Sequence, residues 1–146
     1  MTTSLNVLIA VDQTDMADLI LKRSLELLPA NANIFLVHVI DKATTLGQGV
    51  INSERIFQSD QKEAECFLNE LLAKYPLDQK FKSFHKVIVS GNPSDQLAQI
   101  FADKEHIDYL VIGKTTNRGL LDKIFIGSTA KRIIEETKHN IILIQN

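Results

Sequence analysis

Asn6–Val11 has the sequence NVLIAV, in which five apolar residues follow one another without a polar interruption. Four further short runs are also apolar and rich in β-branched residues: Ile34–Ile40 (IFLVHVI), Phe84–Val89 (FHKVIV), Tyr109–Ile112 (YLVI) and Ile141–Ile144 (IILI). Continuous apolar runs indicate strands covered on both faces, whereas a strand with one face in water alternates apolar and polar residues. The five runs therefore predict the strands of a mainly parallel sheet.

Helical patterns lie between the five predicted strands. Thr14 or Asp15 is a suitable cap for the first helix, and the longest helical pattern covers Ser53–Tyr75. Pro93 stands at a favourable first position of the third helix, and Gly127 precedes the fourth. Because parallel strands need crossover connections, this alternation predicts a doubly wound, Rossmann-like α/β fold with five strands and four helices.

Length and composition predict one domain, residues 1–146. The net charge of −2 comes from dispersed basic and acidic residues, so a nucleic-acid-binding protein is disfavoured. No apolar run approaches the ~20 residues that span a bilayer, and the first residues lack a signal-peptide pattern. We expect a cytoplasmic protein without a membrane segment. Its one cysteine, Cys66, lies beside an apolar helical stripe and is expected to be buried or half-buried.

Ligands of open α/β sheets bind beyond the carboxyl ends of the strands, where the winding reverses. The tripeptide Gly113-Lys114-Thr115 follows the fourth strand and matches the end of a phosphate-binding P-loop. The first glycine of that motif would fall on Asp108, and residues 109–112 would be strand instead of loop. The match is therefore coincidental, and P-loop ATPase chemistry loses its support.

The stretch 113–129, GKTTNRGLLDKIFIGST, has other features of a ligand loop. Gly113 lets the chain leave the strand, and Asn117 tolerates a positive φ. Gly127 and Ser128 precede a helix, whose free N–H groups attract anions. From the spacing alone, an ordinary crossover loop with a capped helix is still favoured over a phosphate site.

The chain resembles the universal stress protein family over nearly its full length. The similarity covers the segments NVLIAVDQTD, LVHVID, SGNPSDQLAQIF, IDYLVIGKTTNRGLLDKIFIGSTAKRII and NIILIQ. The last but one resembles the family signature of glycine, two residues, glycine, nine residues, glycine, then Ser or Thr. Nucleotide-binding members of the family wrap ATP phosphates with that signature.

The signature of this chain departs from the family pattern at two points. Asn117 replaces the middle glycine, and one residue is inserted before it; with the insertion placed later, Thr116 takes the glycine position. Lys114 and Arg118 offer compensating donors, and Gly127 is retained. We expect adenine-nucleotide binding to be retained with reduced affinity.

The resemblance also implies a set of nucleotide-binding residues. Asp12 would lie near the ribose, the backbone of Val39 would meet the adenine edge, and Ile112 would line the base pocket. From the residues alone, Asp12 is better explained as a cap of the first helix, and Val39 and Ile112 as core. His38 is expected to be a structural histidine, and no catalytic or metal-binding residue is predicted. The full set is Val11, Asp12, Val39, Ile112, Gly113, Lys114, Thr116, Asn117, Arg118, Gly127, Ser128 and Thr129.

The function implied by the resemblance is that of a cytoplasmic stress-response protein that binds ATP or AMP as a sensor or regulator. Mg²⁺ would accompany the phosphates, and any ATP hydrolysis would be slow and incidental. A homodimer through Ile141–Ile144 is expected, because a terminal apolar strand at a sheet edge invites pairing. The alternative is a dimeric interaction protein of the same family that no longer binds nucleotide.

Overall fold

The computed structural model describes residues 4–41, 53–103, 106–114 and 140–145. These ranges contain five strands and four helices, and β1 has the bounds predicted from its apolar run. The elements in chain order are β1 (Asn6–Val11), α1 (Met16–Leu27), β2 (Asn33–Asp41), α2 (Ser53–Lys74), α3 (Leu77–Lys80), β3 (Ser83–Gly91), α4 (Pro93–Asp103), β4 (Tyr109–Lys114) and β5 (Asn140–Gln145).

The strands form one sheet in the order β3-β2-β1-β4-β5, and every neighbouring pair is parallel. The chain builds outward from β1 through β2 to β3, and then returns through α4 to place β4 on the other side of β1. The winding therefore reverses between β1 and β4. The predicted α/β fold is confirmed; the predicted helix beginning at Gly127 lies outside the described residues.

Helices cover both faces of the sheet, as the unbroken apolar pattern of β1 requires. Val7, Ile9 and Val11 pack in one buried cluster with α1 and α2. Leu8 and Ala10, which alternate with them, lie in a second buried cluster with Leu97 of α4. Successive side chains of a strand point to opposite faces, so a strand between two helical layers has no position for a polar residue.

Two local predictions need correction. The short helix α3 was not predicted, because its four residues between Pro76 and Phe81 are too few to show a helical period. Cys66 is exposed, not buried or half-buried. It is two residues from both Ala64 and Leu68, which are buried, and residues at that spacing lie on different sides of a helix.

Lys80 of α3 stabilises the C-terminal end of α1. Its ammonium donates hydrogen bonds to the carbonyl oxygens of Leu25 and Leu28, the latter at 2.9 Å, and it lies 5.1 Å from the centre of the Phe81 ring. The last carbonyls of a helix lack partners within the helix, and a cation there also opposes the negative end of the helix dipole.

Replacing Lys80 by methionine is expected to lower the free energy of unfolding by about 1–2 kcal/mol, because the apolar stem is kept while the donors to α1 are lost. Urea denaturation followed by circular dichroism measures this change. Lys82→Met, at an exposed position, is the matched control and should have little effect. An equal loss in both variants would mean that Lys80 does not stabilise α1.

Candidate functional site

The reversal of winding leaves an opening between β1 and β4 at their carboxyl ends. Residues of β1 pair with β2 from Asn6 to Val11, but they pair with β4 only from Val7 to Ile9. Beyond Ile9, β1 continues to Val11 and β4 continues to Lys114 without pairing between these two strands. This is the position at which open α/β sheets bind ligands.

Asp12 follows β1 at this opening, and its carboxylate is held by the next turn of the chain. Thr14 Oγ1 donates a hydrogen bond to Asp12 Oδ1 at 2.5 Å, and the Thr14 N–H donates to the Asp12 carbonyl at 2.8 Å. The cap position of α1 is occupied by Asp15, whose side chain makes no capping bond. Asp12 is therefore not the cap of the helix. Its carboxylate accepts a hydrogen bond from the Thr14 hydroxyl and not from a backbone N–H of α1.

The half-buried position of Asp12 changes its acidity. Burial raises the pKa of the Asp12 carboxyl above its usual value, while the hydrogen bond from Thr14 and the nearby imidazole of His38 act in the opposite direction. Within the part of the chain that the structure describes, the Thr14 hydroxyl fills one of the about four acceptor positions of this carboxylate, which leaves acceptor capacity for a ligand. The site is therefore suited to a ligand that brings hydroxyl or N–H donors.

His38 lies behind this turn, on β2, and is only 6% exposed. Its Nδ1 lies 3.0 Å from the Val11 carbonyl oxygen, so Nδ1 carries the proton and donates. Its ring packs against Phe67 of α2 with 5.3 Å between ring centres. His38 thus fixes the backbone immediately before Asp12, which agrees with the expected structural role.

Gly113 lies within β4 and does not end the strand, since β4 continues through Lys114. A Cβ at this position would lie 2.7 Å from Ile20 Cδ1 and 3.0 Å from Met16 Cε, both on α1. The glycine therefore allows the first turns of α1 to pack directly on β4. The sequence-based explanation, that it releases the chain from the strand, was wrong.

Val39 and Ile112 are core residues on the α4 side of the sheet, where they are 7% and 2% exposed. They lie on the two strands that flank β1, so the structure brings both to the same edge as Asp12. Their buried side chains leave mainly their backbone groups for contact with a ligand. A role in binding the base stays a prediction.

The junction between β3 and α4 contributes a second ordered turn at this edge. Gly91 has a φ of 145°, and a Cβ there would lie 2.8 Å from Gln96 Nε2. Asn92 caps α4 by accepting the Asp95 N–H at 3.2 Å, and Pro93 begins the helix as predicted. In the segment SGNPSDQ, the glycine thus supplies the positive φ of this turn, and the proline supplies the first residue of the helix.

The remaining predicted residues are not all described by the structure. For Lys114, the structure describes the strand position but not the side chain. The signature residues Thr116, Asn117, Arg118, Gly127, Ser128 and Thr129 lie outside the described residues. In the ranges that are described, no group of three or more His, Cys, Asp or Glu could hold a metal ion, and no helix is long and apolar enough to cross a membrane.

Sequence reasoning missed two neighbours of Asp12. Thr14 stands two residues after an aspartate, a spacing at which local side-chain turns form, and this signal could have identified it. The bond from His38 to the Val11 carbonyl had no such signal, because it joins residues of adjacent strands.

Comparison with known proteins assigns the chain to a family. The family model described as "Universal stress protein family" matches residues 4–145. The chain belongs to the universal stress protein family. A curated universal stress protein of Methanocaldococcus jannaschii is 24% identical over 79% of this chain and 66% of its own length, so slightly less than two thirds of that relative is spanned. One of Methanothermobacter thermautotrophicus is 24% identical over 88% of this chain and 87% of its own length.

Solved structures have the same fold as this universal stress protein. The hypothetical protein MJ0577 has a TM-score of 0.74 and 20% identity, with 99% of this chain and 98% of that chain covered. A universal stress protein in complex with cAMP has a TM-score of 0.58 and 14% identity, covering 99% and 98%. One from Archaeoglobus fulgidus in complex with dAMP has a TM-score of 0.60 and 16% identity, covering 96% and 97%.

Proposed function

We propose that this universal stress protein binds an adenine nucleotide, ATP or AMP, at the opening between β1 and β4, and acts as a sensor or regulator in a cytoplasmic stress response. The observation that carries the proposal is the half-buried Asp12 carboxylate at the reversal point of the sheet. Solved members of the family in complex with cAMP and dAMP support an adenine nucleotide as the ligand class.

The proposed contacts combine the described edge with the signature segment. Asp12 accepts the ribose hydroxyls, and the backbone of Val39 and Ile112 meets the base. Lys114, Thr116, Asn117, Arg118, Gly127, Ser128 and Thr129 bind the phosphates together with Mg²⁺. We propose binding without efficient hydrolysis, because the sequence shows no candidate for a general base that would activate a water and no candidate for an arginine finger.

Titration of the purified protein with ATP and AMP, with and without Mg²⁺, tests this function. At a free ligand concentration of 100 times Kd, a bound nucleotide raises the free energy of unfolding by about 2.7 kcal/mol. For a chain of this size, that corresponds to a rise in Tm of about 5–10 °C. No rise at saturating ATP, in a sample whose circular dichroism shows the fold intact, would overturn the proposal.

A dimeric interaction protein without nucleotide binding is the second candidate. It is favoured by the departures of the signature at Thr116 and Asn117 and by the position of β5 at an edge of the sheet. Deleting one of Lys114–Thr116 together with Asn117→Gly would then create binding that the natural chain lacks.

A homodimer paired through β5, which contains Ile141–Ile144, is proposed under both functions. Light scattering at working concentration tests it, and the mass of a monomer would contradict it.

A further inference from the structure

We propose that Thr14 is a positioning residue of the nucleotide site: its hydroxyl holds the Asp12 carboxylate in the orientation that accepts the hydroxyls of a ribose. This inference rests on the proposed function. It concerns a residue outside the signature, in the turn between β1 and α1.

The first step is geometric. Thr14 makes two bonds to Asp12: its hydroxyl donates to Oδ1 of the carboxylate, and its N–H donates to the backbone carbonyl. The Thr14 carbonyl in turn accepts the N–H of Ala17, in the first turn of α1, at 3.0 Å. The rotation of the Asp12 side chain is therefore tied to the start of a helix that is packed on β4.

The second step concerns the backbone that precedes Asp12. The Val11 carbonyl accepts the Nδ1 proton of the buried His38, so this peptide is fixed from the neighbouring strand. With the backbone held by His38 and the side chain held by Thr14, the carboxylate has little rotational freedom to lose when a ligand binds. Preorganisation of this kind improves affinity because less entropy is lost on association.

The third step concerns the acceptor capacity that remains. An ionised carboxylate has about four acceptor positions, and the bond from Thr14 occupies one of them. The vicinal hydroxyls of a ribose present two adjacent donors and match such an acceptor. The Thr14 bond also favours the ionised form, which is the form that accepts two hydroxyl protons.

Isothermal titration of three proteins with two nucleotides tests the proposal. Thr14→Val keeps the shape of the side chain without its hydroxyl, and Thr14→Ser keeps the hydroxyl. We expect Thr14→Val to weaken ATP binding about five- to tenfold, the effect of one lost hydrogen bond. Binding of 2′,3′-dideoxyATP, which lacks both hydroxyls, should be unchanged, and Thr14→Ser should restore ATP binding. A merely structural role would weaken both nucleotides equally, and that result, or no change for ATP, would overturn the proposal.

A second measurement separates this inference from the proposed function. In a ¹³C NMR titration without nucleotide, the pKa of the Asp12 carboxyl should be higher in Thr14→Val than in the natural chain, and Thr14→Ser should reverse the change. An unmoved pKa would show that Thr14 does not hold the carboxylate. If the natural chain binds neither nucleotide while the pKa moves as expected, the proposed function fails and the Thr14–Asp12 contact stands. If the natural chain binds ATP and 2′,3′-dideoxyATP equally well, Asp12 does not contact the ribose hydroxyls. The inference about Thr14 then fails, while the proposed nucleotide-binding function stands.

Discussion

Asp12→Asn is expected to weaken ATP binding by about 10- to 100-fold, the effect of losing hydrogen bonds to a charged acceptor. In the ligand-free protein the same substitution should raise the free energy of unfolding at neutral pH. Burial raises the pKa of the Asp12 carboxyl, so the ionised group is less stable in the folded chain than in the unfolded one. A residue that costs stability and is needed for binding is typical of a functional site.

The pH dependence of this gain follows from the direction of the shift. Between the ordinary carboxyl pKa and the higher pKa of folded Asp12, the folded state binds more protons than the unfolded state. The natural chain therefore loses stability as pH rises through that window, and the loss is complete above the folded pKa. Asparagine does not titrate, so the advantage of Asp12→Asn should grow through the window and then stay constant.

Denaturation at a series of pH values and calorimetric titration with ATP measure the two effects. Asp15→Asn is the matched control, because Asp15 is exposed, makes no capping bond and sits where asparagine is an equally good cap. Unchanged ATP binding in Asp12→Asn would remove Asp12 from the site. A stability difference that is independent of pH would show that burial does not raise the pKa of this carboxyl.

Gly113→Ala is expected to lower the free energy of unfolding by about 1–3 kcal/mol, because the new methyl group enters a filled contact between β4 and α1. The nearest atom is Ile20 Cδ1, at 2.7 Å from the added Cβ. Ile20 is 2% exposed, so its side chain has little space into which it can rotate.

The partner substitution Ile20→Val removes that one carbon atom and makes the explanation testable. Ile20→Val alone should cost about 0.5–1.5 kcal/mol, and Gly113→Ala should cost much less in the Ile20→Val background than in the natural chain. Chemical denaturation of the four proteins gives the coupling free energy. Additive effects would show that the contact with Ile20 Cδ1 is not the reason why position 113 requires glycine.

Local sequence patterns predicted those elements well whose bounds follow from the properties of a few neighbouring residues. The apolar run NVLIAV gave the bounds of β1, and Pro93 marked the start of α4. Both follow from short-range properties: side-chain alternation in a strand, and a fixed φ with no N–H in proline. The single-turn helix α3 was missed because it is too short for such a pattern, and Lys80 joins it to α1 through contacts distant in sequence.

The candidate site was predicted as an edge of the sheet, but the contacts that hold its residues in place were not predicted. The carboxyl end of a strand is known once the strand is known, so Asp12, Val39 and Ile112 could be assigned to one edge. Thr14 as the partner of Asp12, and Ile20 as the reason for Gly113, required coordinates.

The amino-acid sequence by itself determined the five strands and the parallel doubly wound fold, because these depend on apolar runs and local turn residues, and its resemblance to the universal stress protein family over five segments indicated the family. Only the tertiary structure showed which contacts surround Asp12 and Gly113. The acidity of Asp12 depends on how much water its surroundings exclude, and the need for glycine at position 113 depends on how closely α1 approaches β4. Both properties depend on distances between elements that are separated along the chain, and such distances are set by packing.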